Sequence, residues 1–177
     1  MSALLGILVI LGVPGAALAE GTQIKLSLLA VDQPKAYFDL TMRPGETRSL
    51  DVEIANDGQA PIVARTYAAD VYTIVNGGFG GRLHGEPQTG TTRWLDYPSA
   101  VLQLSIGKSV RQAFTVAVPA GTGPGEYITS VVLENDQPIV GGGQVALNQV
   151  VRQAVGVVVT VPGLRSPALA IGGASHS

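Results

Sequence analysis

Alternation of apolar and polar side chains with a period of two residues is the feature that most constrains the fold of this chain. In the segment Thr47–Asn56, Leu50, Val52 and Ile54 alternate with polar or charged residues. Successive side chains of a β-strand point to opposite faces of a sheet, so this pattern predicts a strand with one face on a core and one in water. Near the C-terminus four valines share a face in the same way: Val155, Val157, Val159 and Val161.

Turn signals divide the rest of the chain into similar short segments. Arg43-Pro44-Gly45-Glu46 and Asn56-Asp57-Gly58 predict turns, because Pro and Gly supply the backbone angles that a turn needs. Seven or more strands at this spacing predict an all-β, immunoglobulin-like β-sandwich of mostly antiparallel strands, with a barrel as the alternative. The predicted strands are residues 24–31, 36–42, 47–56, 62–75 (bent near 68–69), 100–106, 109–118, 126–134 and 145–161.

The first 19 residues are typical of an export signal. Ala3 to Ala19 carry no charge, contain a Leu/Ile/Val-rich centre and end in Ala17-Leu18-Ala19, the small-x-small pattern of a signal peptidase site. A retained membrane anchor is the alternative, although the run is shorter than the roughly 20 residues of a spanning helix. We therefore expect a signal peptide at 1–19 and an immunoglobulin-like domain at 20–163. Residues 164–177 would begin a truncated following domain or a linker.

Composition excludes several classes of partner and chemistry. The chain has no cysteine, so disulfides, thiolate catalysis and cysteine-bound metals are excluded. Only 14% of its residues are charged, its net charge is −2, and no basic run occurs. Nucleic-acid binding draws most of its affinity from clustered Lys and Arg, so we expect no nucleic-acid partner.

No motif predicts catalysis. Gly107-Lys108-Ser109 resembles the end of a phosphate-binding loop but lies between two predicted strands, whereas that loop must lead into a helix. His84 and His176 lack the spacing of metal ligands. Asp51 and Glu53 alternate with core positions, which places them on the wet face of a strand. We therefore expect no catalytic residue, no metal and no cofactor, and a protein that is not an enzyme.

One group of residues suggests a binding site. The stretch Asn76–Thr92 is the longest predicted loop and is rich in glycine, and loops of this length are often functional. Aromatic rings near amide and guanidinium groups suit sugar or peptide ligands. For Tyr67 and Trp94 the alternative is a place in the core or in a lid. The candidate ligand-binding residues are Tyr72, Asn76, Phe79, Arg82, Trp94 and Tyr97.

Several segments resemble a known family in their order and spacing. They cover roughly residues 24–163 and are similar to the DUF916 domain, the N-terminal peptidoglycan-binding domain of WxL-interacting proteins on Gram-positive cell surfaces. Each segment alone is generic, and the succession carries the resemblance. The segments are Tyr37-Phe38-Asp39-Leu40, Arg43-Pro44-Gly45-Glu46, Val52–Asn56, Ala69–Thr73, Asn76-Gly77-Gly78-Phe79, Phe114–Ala120, Pro124-Gly125-Glu126-Tyr127, Arg152–Val157 and Val161-Pro162-Gly163.

The resemblance implies an exported protein of the cell surface or cell wall, with peptidoglycan as ligand and WxL-type surface proteins as partners. It also implies a second β domain and a C-terminal membrane anchor that this chain does not include, so membrane contact would come only through that anchor. Our first hypothesis is a non-catalytic binding module that supports a surface assembly. The alternatives are a pilus-type periplasmic chaperone and a purely structural spacer domain.

Overall fold

The computed structural model describes residues 24–75, 77–137, 139–140 and 148–164. The predicted leader at 1–19, Asn76 and all but the first residue of segment 164–177 lie outside these ranges. A single turn of 3-10 helix covers Thr91–Trp94. The strands are β1 (Leu26–Ala30), β2 (Phe38–Thr41), β3 (Thr47–Asn56), β4 (Ile62–Ala69), β5 (Val71–Thr73), β6 (Phe79–Gly81), β7 (Leu95–Asp96), β8 (Ala100–Leu104), β9 (Ser109–Ala117), β10 (Gly125–Asn135), β11 (Ile139–Val140), β12 (Asn148–Gln149) and β13 (Arg152–Val161).

Two sheets contain most of these strands. One has the order β1-β3-β9-β7 and the other the order β2-β13-β10-β4-β8. All described pairs are antiparallel except β2, which runs parallel to β13. Two short ribbons, β5-β6 and β11-β12, complete the architecture. The predicted all-β, mostly antiparallel, immunoglobulin-like sandwich is confirmed.

The core lies between the two sheets and follows the predicted alternation. Leu50, Val52 and Ile54 of β3 are buried, and so are the four alternate valines of β13. The rings of Phe38 and Phe114 meet edge to face with their centroids 5.5 Å apart. Because the chain has no disulfides, this apolar burial is the main source of its stability.

The outer face of the five-stranded sheet is partly covered. Strand β10 is buried on both faces from Thr129 to Leu133, so something must pack on its outer side. A second small cluster lies there, formed by Tyr67, Ala69 and Val132. The chain between β4 and β7 folds back over it. This cover holds most of the residues that the sequence suggested as a site.

The predicted long loop is more ordered than the sequence indicated. Asn76–Thr92 was expected to be irregular, but it contains β6, and the 3-10 turn begins at its end. Glycine has a low strand propensity, so the glycine-rich segment 77–81 was not predicted as a strand, although β6 pairs with β5 there. Among the described residues, no helix is long and apolar enough to cross a membrane.

Candidate functional site

Asp70 anchors the cover, which is the chain between β4 and β7, to the sandwich. It interrupts the long predicted strand between β4 and β5, and its side chain is buried. Its carboxylate accepts hydrogen bonds from the N–H groups of Thr89 (2.7 Å) and Gly90 (2.8 Å) and from the hydroxyl of Thr92 (2.5 Å). Thr92 in turn lies 2.7 Å from the hydroxyl of Thr129 on β10. A buried carboxylate thus fixes the chain that leads into the 3-10 turn.

The ionisation of Asp70 fits this role. Burial on its own would raise the pKa of the carboxyl group, because it disfavours the charged form. The hydrogen bonds from Thr92, Gly90 and Thr89 outweigh burial and hold the pKa of Asp70 below its usual value. Asp70 is therefore an ionised structural anchor, and its oxygens are already occupied by these donors.

Arg82 lies in a cavity of about 230 Å³ between the segment 82–88 and β4. Its guanidinium forms an exposed ion pair with Glu86 at 3.2 Å. The ring of His84 packs edge to face on Tyr67, with 5.2 Å between the centroids. Arg82 is thus placed apart from the other candidate residues.

Tyr67 belongs to a polar group on the outer face of the sheet. Its hydroxyl donates to Glu134 Oε2 at 3.1 Å, and the guanidinium of Arg152 donates to the same oxygen at 2.6 Å. Burial and the nearby negative charge of Glu134 raise the pKa of Tyr67 to about 12. Tyr67 is therefore a protonated, buried structural residue, which is the alternative that the sequence left open.

A second depression, of about 430 Å³, lies between the β5–β6 hairpin and the start of β13. We call it the hairpin groove. It brings together two predicted site residues, Tyr72 and Phe79, with residues that the sequence analysis did not select. The side chains that define it are Tyr72, Ile74, Phe79, Arg152, Gln153 and Ala154.

Phe79 fastens the hairpin to the sheet. Phe79 pairs with Thr73, while Tyr72 pairs with Gly80, so the two aromatic rings lie on opposite faces of the hairpin. A Cβ atom placed on Gly156 would lie 2.7 Å from Phe79 Cζ, and one on Gly81 would lie 2.5 Å from a methyl group of Val132. The ring of Phe79 therefore rests directly on the backbone of β13, and 36% of the residue remains exposed.

Tyr72 lies on the open face of the hairpin. Its ring rests over Gly80, where an added Cβ would come within 2.7 Å of Tyr72 Cζ. Ile74 packs in the same way against Gly78, at 3.4 Å from such a Cβ. Both side chains are 45% exposed. The two glycines thus leave room for the side chains of Tyr72 and Ile74, which lie over them and are partly exposed to solvent.

Trp94 and Tyr97 do not reach this groove. Trp94 is half-buried against the core and packs on Tyr127 with 4.7 Å between the ring centroids. Tyr97 is buried, lies edge to face with Phe114, and shares a 2.5 Å hydrogen bond with the hydroxyl of Thr66. Burial raises the pKa of Tyr97 to about 12. As a core residue, Tyr97 is not available to a ligand, which corrects the sequence-based selection.

The described residues offer no metal centre, since no three His, Asp or Glu side chains among them come together. The carboxylates of Asp70 and Glu134 are engaged by structural partners. What the hairpin groove can do chemically is present an exposed aromatic ring and an aliphatic side chain to a ligand. Asn76, also selected from the sequence, lies outside the described residues.

No model of a protein family matches the sequence, and no curated protein matches it. Solved structures resemble its fold at low identity. PapD-like domain 7 of human CEP192 is 15% identical with a TM-score of 0.42, over 90% of this chain and 99% of that one. A family 123 glycoside hydrolase from Clostridium perfringens is 12% identical with a TM-score of 0.46, over 82% of this chain but only 28% of that one. Spo0M, a sporulation control protein from Bacillus subtilis, is 12% identical with a TM-score of 0.34, over 78% and 50%.

The structure therefore assigns the chain to a fold class only. The chain belongs to the immunoglobulin-like β-sandwiches, by the strand order and pairing of its own two sheets. This architecture is compatible with a non-catalytic binding module. Because one fold hosts many functions, the function must be argued from the site itself.

Proposed function

We propose that this chain is a non-catalytic binding module of a bacterial cell surface and that its ligand is peptidoglycan. The observation that carries the proposal is the hairpin groove, where Tyr72 and Ile74 are each 45% exposed in a depression that Arg152 also lines. Binding sites for small ligands are concave and mostly apolar, with a few polar groups that fix orientation. An exposed tyrosine ring beside an isoleucine side chain on the hairpin is such a surface.

The engagement of two carboxylates near the groove, those of Asp70 and Glu134, also supports binding over catalysis. A general acid or base must reach the substrate with a proton to give or accept. Asp70 is buried under its hydrogen-bond donors, and Glu134 is paired with Arg152 and Tyr67. Both carboxylates thus stabilise the cover and the sheet that form the groove.

The resemblance of residues 24–163 to the DUF916 domain supports the location and the ligand. We propose with it a location on the surface or in the cell wall of a Gram-positive bacterium, behind a signal peptide at residues 1–19. On this proposal WxL-type surface proteins are the protein partners, and the module helps to hold a surface assembly on the wall.

Retention on purified cell-wall sacculi tests the proposal. We expect the chain to sediment with sacculi and to remain in solution when cellulose replaces them. Circular dichroism of the same preparation must show a β-rich spectrum, so that failure to bind is not failure to fold. If the folded chain remains in solution with sacculi, the proposal is wrong and a structural spacer describes the chain better.

A further inference from the structure

The two sheets end in four edge strands among the described ones, β1 and β7 in one sheet and β2 and β8 in the other. An edge strand presents unpaired N–H and C=O groups, and proteins protect such edges by short length, charged side chains or covering groups. In β1 the N–H of Leu28 donates to Oε1 of Gln153 at 2.9 Å, so a side chain of the other sheet occupies this edge. Asp39 of β2 is exposed and paired with Lys35, and β7 has only two residues. Three of the four edges are therefore protected.

Strand β8 lacks each of these protections. It has five residues, with no charged residue and no proline among them, and it pairs with β4 on one side. Within the part of the chain that the structure describes, no side chain bonds the backbone of residues 100–103. Exposed apolar side chains lie in β8, in the turn after it and at the start of β9: Val101 (48% exposed), Ile106 (52%) and Val110 (41%). This edge thus combines unpaired backbone with apolar surface, and both favour a protein partner.

Opposite charges lie at the two ends of this edge. Strand β9 runs along the same side of the sandwich, since Gln112 of β9 donates to the carbonyl of Pro98, just before β8, at 2.8 Å. Lys108 directly precedes β9, whereas Asp96 pairs with Thr115 near the other end of β9. Both charged residues are exposed, and neither forms an ion pair with a described residue. Lys108 and Asp96 therefore lie free at opposite ends of the edge.

Other charges near this side of the sandwich are engaged elsewhere. Arg65, which pairs with Val101 in the sheet, forms an ion pair with Asp136. Arg93 donates through Nε to the carbonyl of Gln88 in the cover at 2.8 Å. The edge of β8 itself is therefore neutral in its middle, with its free charges at the ends.

We infer that two copies of this chain pair antiparallel through β8 and form one continuous sheet about a two-fold axis. With Leu102 at the axis, all five residues of the strand pair, and Val101 lies opposite Gln103 of the second copy. Because antiparallel pairing brings the start of one strand to the end of the other, Lys108 lies beside Asp96 of the second copy at both ends. A two-fold interface of this kind is self-complementary and closes at the dimer.

The charge pattern selects a second copy over an extended segment of another protein. The edge is neutral where two copies of β8 would lie side by side, so no like charges directly oppose each other there, which would destabilise the pairing. Its two free charges are matched in sign by the same edge after a two-fold rotation. The inference does not depend on the ligand of the hairpin groove.

Analytical ultracentrifugation of the purified chain as a function of concentration tests the inference. We expect a reversible equilibrium between monomer and dimer, with no larger species, because the interface closes on itself. A chain that stays monomeric at every concentration would overturn the inference and would leave β8 to a strand of another protein. Species that grow beyond the dimer would overturn it too, since they need an interface that does not close.

Matched variants at two edges locate the contact. Val101→Lys places a charge on the edge of β8, which is a means by which proteins block edge pairing, and it should weaken the dimer at least tenfold. Leu29→Lys is the control, since Leu29 is 54% exposed on β1, whose edge Gln153 occupies, and it should leave the dimer unchanged. Circular dichroism must show that both variants fold. A folded Val101→Lys that dimerises like the wild type, or equal weakening by Leu29→Lys, would show that the contact is not at β8.

Charge reversal tests the antiparallel arrangement. Lys108→Glu would bring like charges together at both ends of the interface and should weaken the dimer several-fold, and less so at high salt. The double variant Lys108→Glu with Asp96→Lys restores opposite charges and should recover the affinity of the wild type. A double variant that dimerises no better than Lys108→Glu alone would contradict the two-fold pairing.

Discussion

A single carboxylate organises the cover over the outer sheet face. Asp70 accepts hydrogen bonds from three backbone N–H groups and two hydroxyls of residues that lie about twenty positions further along the chain: Thr89, Gly90 and Thr92. Hydrogen bonds to a charged acceptor are stronger than neutral ones, and they are costly to leave unmade when buried. Asp70 therefore converts a stretch that looks like a loop into a fixed part of the structure.

Asp70→Asn should lower the free energy of unfolding by about 2 kcal/mol at pH 7, because an amide group would face N–H donors that now bond a carboxylate. Chemical denaturation monitored by circular dichroism measures the loss. Asp96→Asn is the matched control, since Asp96 is exposed at β7, and it should change stability by less than about 0.5 kcal/mol.

The loss of stability in Asp70→Asn should depend on pH, because the pKa of Asp70 is lowered in the folded protein. A carboxyl group with a lower pKa in the folded state stabilises the fold fully above its unfolded pKa of about 4. The stabilisation is lost as the pH falls through the lower folded-state value. The difference in the free energy of unfolding between the wild type and Asp70→Asn should therefore become smaller below about pH 4. A gap that stays constant with pH would contradict this account of Asp70.

The sequence predicted the site residues only in part, because the environment of a single side chain cannot be read from its residue type. An aromatic residue near a glycine-rich loop can face solvent or the core, and composition does not distinguish the two. Tyr72 and Phe79 reach the groove, whereas Tyr97 is in the core because Thr66 satisfies its hydroxyl. Asp70 was missed, although a charged residue between Ala69 and Val71, followed by the run Thr89–Thr92, was a usable signal.

The β5–β6 hairpin is the element on which the groove depends, and its glycines position it. At Gly81 an added Cβ would lie 2.5 Å from Val132, which is fully buried and cannot move freely. At Gly156 the neighbour is Phe79 of the hairpin itself. The hairpin therefore packs closely on the sheet because the chain has no side chain at these two positions.

Gly81→Ala should destabilise the protein by about 1–3 kcal/mol and loosen the hairpin, because an overpacked core must shift. Thermal unfolding and amide hydrogen exchange of residues 71–81 measure the two effects. Gly121→Ala is the control, since a Cβ there would meet nothing within 4 Å. Equal stability of the two variants would show that the hairpin does not pack as described.

At the scale of elements the sequence was most informative where alternation was strict. The predicted strand Thr47–Asn56 coincides with β3, and the alternate valines near the C-terminus lie on the buried face of β13. The prediction failed at β6, whose glycines have low strand propensity and carry no side chain that could show alternation. The reason for those glycines, close contact with other elements, is visible only in three dimensions.

The whole molecule is held together by pairings between distant parts of the chain. Strand β2 pairs with β13, joining Phe38 to Val157, and β10 lies between β13 and β4. Folds dominated by such long-range pairs fold slowly, on a scale of milliseconds to seconds. Strand order could not be predicted from the sequence, because alternation identifies strands without saying which of them pair.

Trp94 provides a probe of this folding reaction. It is the only tryptophan in the sequence, and it packs on Tyr127 of β10 across the chain. Stopped-flow refolding followed by Trp94 fluorescence should therefore show a phase of milliseconds or longer. Complete recovery of the native signal within microseconds would contradict the long-range topology.

The central claim, that the hairpin groove is the ligand site, is tested most directly by backbone amide NMR during titration with soluble muropeptides. The account predicts that the largest shift changes cluster at Tyr72, Ile74, Gly78, Gly80 and Gln153, with the outer face of the β1-β3-β9-β7 sheet unaffected. Shift changes centred on another surface, or none at ligand concentrations that match retention on sacculi, would contradict it.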